Sequence, residues 1–144
     1  MRRTCMIAMA LSLGTALPAL AQDGVITGPL SYPSDGIPPE IRICAEAVGS
    51  DKITCTDKHF DDSASPSGKA YRLDVAAGRY KVFSVLPEGT EFDPSSSAHY
   101  RAYYSDFVTC GLEASCKSHQ PIEVEVAPGA TVVNIGPNDW YAPN

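Results

Sequence analysis

The sequence predicts an all-β fold, a sandwich of seven to eight short antiparallel strands stapled by disulfides. Short runs of residues alternate between apolar and polar side chains at every second position, which is typical of strands that bury one face. The chain contains 12 prolines and 11 glycines, and many of them separate these runs as turn residues do. No extended helical periodicity is found, so the pattern favours a β-sandwich.

Four predicted strands lie in the first half of the fold, at residues 25–32, 41–48, 53–59 and 70–75. In 41–48 the odd-numbered positions carry isoleucine and alanine, whereas arginine, cysteine and glutamate lie between them. In 70–75 tyrosine, leucine and valine alternate with arginine and aspartate. Each of these two runs therefore has one face for a core and another for solvent.

Four further strands are predicted at residues 80–86, 98–110, 122–126 and 131–135. Gly78 precedes the first of them, and we expect it to take the positive φ of a tight hairpin. The run 98–110 is longer and rich in aromatic residues, and in 122–126 apolar residues alternate with two glutamates. A Pro-Gly pair, which is a turn signal, separates the last two strands.

The N-terminal residues 1–21 have the layout of a secretory signal peptide. Arg2 and Arg3 precede an apolar stretch, and small residues lead up to Ala21. The apolar stretch is shorter than the ~20 residues that a bilayer span needs. We expect cleavage after Ala21, which leaves residues 22–144 as a single domain without a membrane span, periplasmic or secreted.

The charge of the expected mature chain narrows the classes of partner. It carries 9 basic and 17 acidic side chains, a net charge of −8 with histidine neutral. Nucleic acids and anionic lipid surfaces are bound through clustered Lys and Arg, so neither is an expected partner.

The cysteines predict disulfides. Cys5 lies in the signal peptide, and an even number of four remains in the exported part. Four cysteines allow three pairings. A hairpin between the second and third predicted strands would place Cys44 opposite Cys55, close enough for a bridge. We therefore expect Cys44 to pair with Cys55, and Cys110 then pairs with Cys116 by default.

Two segments resemble carboxypeptidase regulatory-like, or transthyretin-like, β-sandwich modules. Residues 71–82 resemble the hairpin of these modules, in which an alternating strand is followed by a small residue, Gly and Tyr. Residues 25–30 are similar to their first strand, where Val-x-x-Gly precedes an apolar residue. The resemblance implies a seven-stranded Greek-key sandwich that serves as an accessory, adhesive or scaffolding module. The tail 139–144 lacks the Tyr-Arg-Gly-Ser ending of 5-hydroxyisourate hydrolase, an enzyme on this kind of scaffold.

No motif predicts catalysis, a metal or a cofactor. The chain has no Gly-x-Ser-x-Gly elbow, and the expected disulfides leave no free thiol nucleophile. The chain contains no His-x-His or Cys-x-x-Cys spacing that would indicate a metal site, and its three histidines are His59, His99 and His119. We therefore expect a protein that is not an enzyme, without catalytic residues, metal ligands or cofactor.

Aromatic residues form the candidate binding surface. They are Tyr100, Tyr103, Tyr104, Phe107, Trp140 and Tyr141. Along a single strand, Tyr103 and Phe107 share one face and Tyr100 and Tyr104 share the other, so one pair must face away from a single core. Such a pair could contact a ligand, or the C-terminal aromatics could cover it as a second small core.

These observations predict an exported, non-catalytic module that binds a protein or belongs to an envelope assembly. An alternative is a carbohydrate-binding module that stacks sugar rings on the same aromatic residues. A second alternative is a hydrolase of uncharacterised type. Fold alone does not decide among these functions.

Overall fold

A computed structural model of the chain describes residues 22–87 and 101–142. Within these ranges, two β-sheets face each other across one core, which confirms the predicted disulfide-stapled all-β sandwich. The expected signal peptide, residues 1–21, lies outside the described residues. The elements are β1 (Gly24–Pro29), β2 (Arg42–Ala47), β3 (Ile53–Thr56), β4 (His59–Asp61), β5 (Lys69–Val75), β6 (Gly78–Val85), β7 (Ala102–Tyr103), α1 (Asp106–Cys110), β8 (Glu123–Val126) and β9 (Thr131–Val132).

The first sheet has the strand order β4-β5-β1-β9, and the second has the order β3-β2-β6-β7 with β8 also paired to β6. All pairs are antiparallel except β1 and β9, which run parallel with Val25 beside Thr131. The core takes side chains from both sheets, and their alternation follows the sequence pattern. Its fully buried members include Ile26, Ile41, Ile43, Tyr71 and Val82.

The predicted tight hairpin before residue 80 is wrong. Strand β5 pairs with β1 and β4, whereas β6 pairs with β2, β7 and β8, so the chain crosses from one sheet to the other after Val75. Gly78 accordingly is not among the described glycines with positive φ. Because the apolar residues of both strands face one core, the crossing lets β5 and β6 bury their faces against each other's sheet.

The predicted strand 98–110 is also wrong over most of its length. Residues 98–100 lie outside the described residues. Of residues 101–110, only Ala102–Tyr103 is a strand, and the chain then forms the short helix α1. The helix ends at Gly111, which adopts a left-handed φ of 111° and donates its N–H to the carbonyl of Val108. The turn chemistry at the end of α1 thus overrides the strand propensity of the aromatic residues.

The residues around α1 interrupt the strand pairing along one side of β6 in the second sheet. Tyr104 donates its N–H to Val82 of β6, and Ile122 then donates its N–H to Tyr104, which brings the two ends of the interruption together. Residues 105–121, here called the excursion, leave the sheet between these two points. A bridge between Ser105 and Pro121 closes its base, and the disulfide Cys110–Cys116 closes its tip.

The second disulfide, Cys44–Cys55, joins neighbouring strands β2 and β3. The two residues face each other in the predicted register, with 4.1 Å between their Cα atoms. Both expected pairings are therefore confirmed. Two disulfides in a domain of this size are typical of a protein that folds in an oxidising compartment.

Residues 135–140 form hydrogen bonds to strands of both sheets. The N–H of Ile135 bonds to Thr27 of β1, and its carbonyl accepts a 2.8 Å hydrogen bond from the Tyr71 hydroxyl of β5. The N–H of Asp139 then bonds to the carbonyl of Tyr103 in the other sheet. This segment is buried although it is irregular, because side chains and neighbouring strands satisfy its polar groups.

Candidate functional site

The five candidate aromatic residues that the structure describes do not lie on one surface. Tyr100 lies outside the described residues. Tyr103 lies on the outer face of the second sheet, with its ring centre 5.4 Å from that of Phe83. Tyr104 is half-buried and packs against the main core instead. The two tyrosines therefore serve different environments, as neighbours on a strand must.

The remaining three aromatics pack at two further places. Phe107 of α1 is buried and stacks on His119, with 4.4 Å between ring centres, and Tyr141 approaches it at 6.1 Å. Trp140 donates its indole N–H to the carbonyl of Ser31 at 2.7 Å and meets the Tyr32 ring edge to face. The excursion thus has a small core of its own, formed by Phe107, His119 and Tyr141.

A buried polar cluster anchors the excursion. Asp139 is fully buried and accepts a 2.6 Å hydrogen bond from the Ser105 hydroxyl. His119 Nδ1 lies 2.9 Å from the same carboxylate. These are the residue types of a hydrolytic triad, but the carboxylate lies between the serine and the histidine. A triad needs the imidazole between them to take the serine proton, so this geometry supports an anchor.

A different feature offers space for a ligand. The predicted strand 53–59 is in fact two strands, because the chain passes through Asp57 and Lys58, without a turn or bend, from β3 in one sheet to β4 in the other. A groove of about 520 Å³ opens along this corner and is lined by residues 54–60 and 72–74. It lies where the edge strands of the two sheets come together.

The groove combines apolar and polar groups. Phe60 is 48% exposed, and the Nε2 atom of His59 is buried without a hydrogen-bond partner among the described residues. Arg72 and Asp74, which also line the groove, form an ion pair of 2.8 Å. A pocket with an accessible ring and unpaired polar atoms can hold a polypeptide segment.

The edge of β3 borders this groove and exposes backbone hydrogen-bonding groups. Strand β3 is the terminal strand of its sheet and pairs only with β2 within the described ranges. The N–H of Ala47 bonds to the carbonyl of Lys52. Because hydrogen-bonded pairs alternate with non-hydrogen-bonded pairs along two antiparallel strands, Thr54 and Thr56 are the residues of β3 that bond to β2. The N–H and C=O groups of Ile53 and Cys55 then point away from β2. We call these four groups the β3 edge.

The disulfide geometry agrees with this assignment. Directly opposed residues that do not exchange hydrogen bonds have Cα atoms about 4.5 Å apart, whereas hydrogen-bonded pairs lie about 5.5 Å apart. The 4.1 Å Cα separation of Cys44 and Cys55 places them in the first class. The backbone groups of Cys55 therefore belong to the outer side of the strand.

Among residues 22–87 and 101–142, no three His, Cys, Asp or Glu side chains are grouped as metal ligands would be. In the same ranges, no helix has the length and apolar character needed to cross a bilayer.

Comparisons with known proteins add no identification. No protein-family model, curated protein or solved structure matches the chain. The resemblance to carboxypeptidase regulatory-like modules therefore stays a prediction. Sequence reasoning did not single out the β3 edge, since a four-residue strand has no motif. The one available signal was the repeated Asp-Lys pair at positions 51–52 and 57–58.

Proposed function

We propose that this chain is an exported, non-catalytic module that binds a protein partner in the cell envelope. The partner contributes an extended segment that adds to the second sheet alongside β3 and lies in the adjoining groove. The observation that carries the proposal is the β3 edge, where the outer backbone groups of Ile53 and Cys55 pair with no other strand of residues 22–87 and 101–142 and lie beside a groove of about 520 Å³. Strand addition of this kind derives affinity from main-chain hydrogen bonds and specificity from pockets for alternate side chains.

Within β3 itself, none of the features that usually block strand addition is found. Edge strands are commonly protected by proline, by a bulge or by a charged residue within the strand. Strand β3 reads Ile-Thr-Cys-Thr and pairs with β2 in unbroken register. Ile53, at its start, is 42% exposed. The cross-strand disulfide to Cys44 holds β3 rigidly, which lowers the entropy lost when a partner binds.

The proposal can be tested with peptides from a random display library selected on the disulfide-bonded protein. Ile53→Pro removes an N–H that points away from β2, so the ladder inside the sheet stays intact. The matched control Ile53→Ala removes the side chain but keeps the N–H. We expect the proline variant to bind a selected peptide about tenfold more weakly, as loss of one hydrogen bond predicts.

Calorimetry of both variants decides the outcome. The alanine variant should lose clearly less affinity than the proline variant, and both should keep the melting temperature within a few degrees. Selection of no peptide at all would overturn the proposal. Equal binding by Ile53→Pro and the original protein would do the same, because the β3 edge would then be unused.

A further inference from the structure

We infer that the charges flanking β3 select a heterologous antiparallel strand of defined charge order and reject a second copy of this chain. The inference rests on the proposed function and names its partner class. Two Asp-Lys pairs flank the strand, Asp51 and Lys52 before it and Asp57 and Lys58 after it. All four side chains are exposed, and none forms an ion pair within the described part of the chain.

Pairing geometry limits how two copies could meet through this edge. In an antiparallel ladder, the hydrogen-bonded residues of one strand face the hydrogen-bonded residues of the other. On the β3 edge these are the odd-numbered Ile53 and Cys55, so odd positions must face odd positions. If Cys55 faces Cys55 of a second copy, Lys52 faces Lys58. Like charges in direct opposition destabilise the pair.

The neighbouring register of two copies also places like charges opposite each other. If Ile53 faces Cys55 of a second copy, Asp51 faces Asp57. In a third register Asp51 would face Lys58 and the charges would attract. That register, however, places odd-numbered residues of one copy opposite even-numbered residues of the other. A slip of one residue turns every side chain to the wrong face and breaks the hydrogen-bond pattern. Self-pairing is therefore disfavoured in both registers that overlap well.

A different strand can satisfy all four charges in an allowed register. Running antiparallel, it needs an acidic residue opposite Lys58 and a basic residue opposite Asp57. After four residues opposite β3, it needs an acidic residue opposite Lys52 and a basic residue opposite Asp51. The preferred segment is thus acidic-basic, four residues of strand propensity, then acidic-basic again. Discrimination by attraction to one partner and repulsion of another is a common route to specificity.

Two synthetic peptides of identical composition test this charge order. The matching peptide is Glu-Lys-Thr-Val-Thr-Val-Glu-Lys, and the control is Glu-Lys-Thr-Val-Thr-Val-Lys-Glu. The control opposes like charges at one end whether it runs parallel or antiparallel. We expect the matching peptide to bind about tenfold more tightly in fluorescence anisotropy at low ionic strength. The advantage should shrink in about 1 M NaCl, where the Debye length is about 3 Å.

The double variant Asp51→Lys, Lys52→Asp supplies the reciprocal test. It reverses the charges at one end of β3, so it should prefer the control peptide over the matching one. Equal binding of both peptides by the original protein would overturn the inference and leave the proposed function standing. Failure of both peptides, while library-selected peptides bind, would overturn it too. Failure of every peptide would overturn the proposed function as well.

Discussion

At the residue scale, two buried serines show how the same side chain can have opposite effects on stability. Ser84 and Ser105 are both fully buried. The Ser105 hydroxyl donates to the Asp139 carboxylate, whereas the Ser84 hydroxyl has no partner among the described residues. A hydrogen bond to a buried carboxylate stabilises the fold, while a buried hydroxyl without a partner costs free energy.

We predict that Ser105→Ala lowers the free energy of unfolding by about 2 kcal/mol, because the fully buried Asp139 carboxylate loses a hydrogen-bond donor. Ser84→Ala should change it by less than about 1 kcal/mol and in the stabilising direction. Urea titration with the disulfides intact measures both values. Equal losses in the two variants would show that the Asp139 cluster is not an anchor.

Tyr71 should make stability depend on pH in the alkaline range. Burial, and to a smaller extent the neighbouring Tyr104, hold the pKa of Tyr71 well above its ordinary value. Its hydroxyl donates to the carbonyl of Ile135, which requires the protonated form. A raised pKa in the folded state means that this stabilisation is complete below the unfolded pKa of about 10 and declines as the pH rises beyond it.

We therefore expect the free energy of unfolding to fall above about pH 10, by up to about 1.4 kcal/mol per pH unit for this one group. Tyr71→Phe should reduce that slope, although it also removes the bond to Ile135. Tyr141→Phe is the matched control, since its ring is 59% exposed. A slope that stays the same in Tyr71→Phe would contradict the assignment.

At the element scale, the close approach of β1 to residues 135–140 explains a glycine in the sequence. A Cβ atom on Gly28 would lie 2.2 Å from the carbonyl oxygen of Ile135, and backbone atoms cannot move aside as a flexible side chain can. This position is the glycine of the Val-x-x-Gly pattern in β1. Its requirement is therefore steric and comes from a segment more than 100 residues away in the chain.

Gly28→Ala should lower the free energy of unfolding by about 3 kcal/mol or more, because it forces β1 and residue 135 apart. The control Gly36→Ala has no atom within 4 Å of its added methyl group and no positive φ. We expect it to stay within about 0.5 kcal/mol of the original protein. Similar values for the two variants, measured by thermal unfolding, would contradict this packing.

The elements also show what the sequence could and could not predict. Alternation located most of the strands, such as Lys69–Val75, because each strand buries one face. It nevertheless joined β3 and β4 into one strand and extended β7 into α1. It could not show that β5 and β6 belong to different sheets, since both arrangements bury the same residues. It missed α1 because the left-handed Gly111 and the disulfide of Cys110 outweigh local propensity. The β3 edge depends on which strand is terminal, which is a property of topology alone.

At the scale of the whole molecule, charge should keep the open edge from joining copies of the chain. When two copies pair antiparallel through β3, Lys52 of each copy faces Lys58 of the other and the two charges repel. Lys52→Glu turns this repulsion into attraction at both places, since the pair has two-fold symmetry. We expect this variant to self-associate at concentrations where the original protein is monomeric. Lys117→Glu makes the same charge change on the excursion, away from β3.

Sedimentation velocity distinguishes these cases. The Lys117 variant should sediment like the original protein, and the Lys52 variant should sediment faster as concentration rises. Self-association of the original protein through β3 would contradict the account, because the flanking charges would then not oppose it. Equal behaviour of the two variants would mean that the edge does not pair in the expected registers.

Amide exchange along β3 shows whether its outer backbone groups are available to a partner strand. We expect the N–H groups of Ile53 and Cys55 to exchange rapidly with solvent deuterium, while those of Thr54 and Thr56 are protected by their bonds to β2. Hydrogen-exchange NMR resolves these four amides, and the matching peptide should slow the exchange of Ile53 and Cys55. Protection of Ile53 and Cys55 in the free monomer would show that the edge is already occupied.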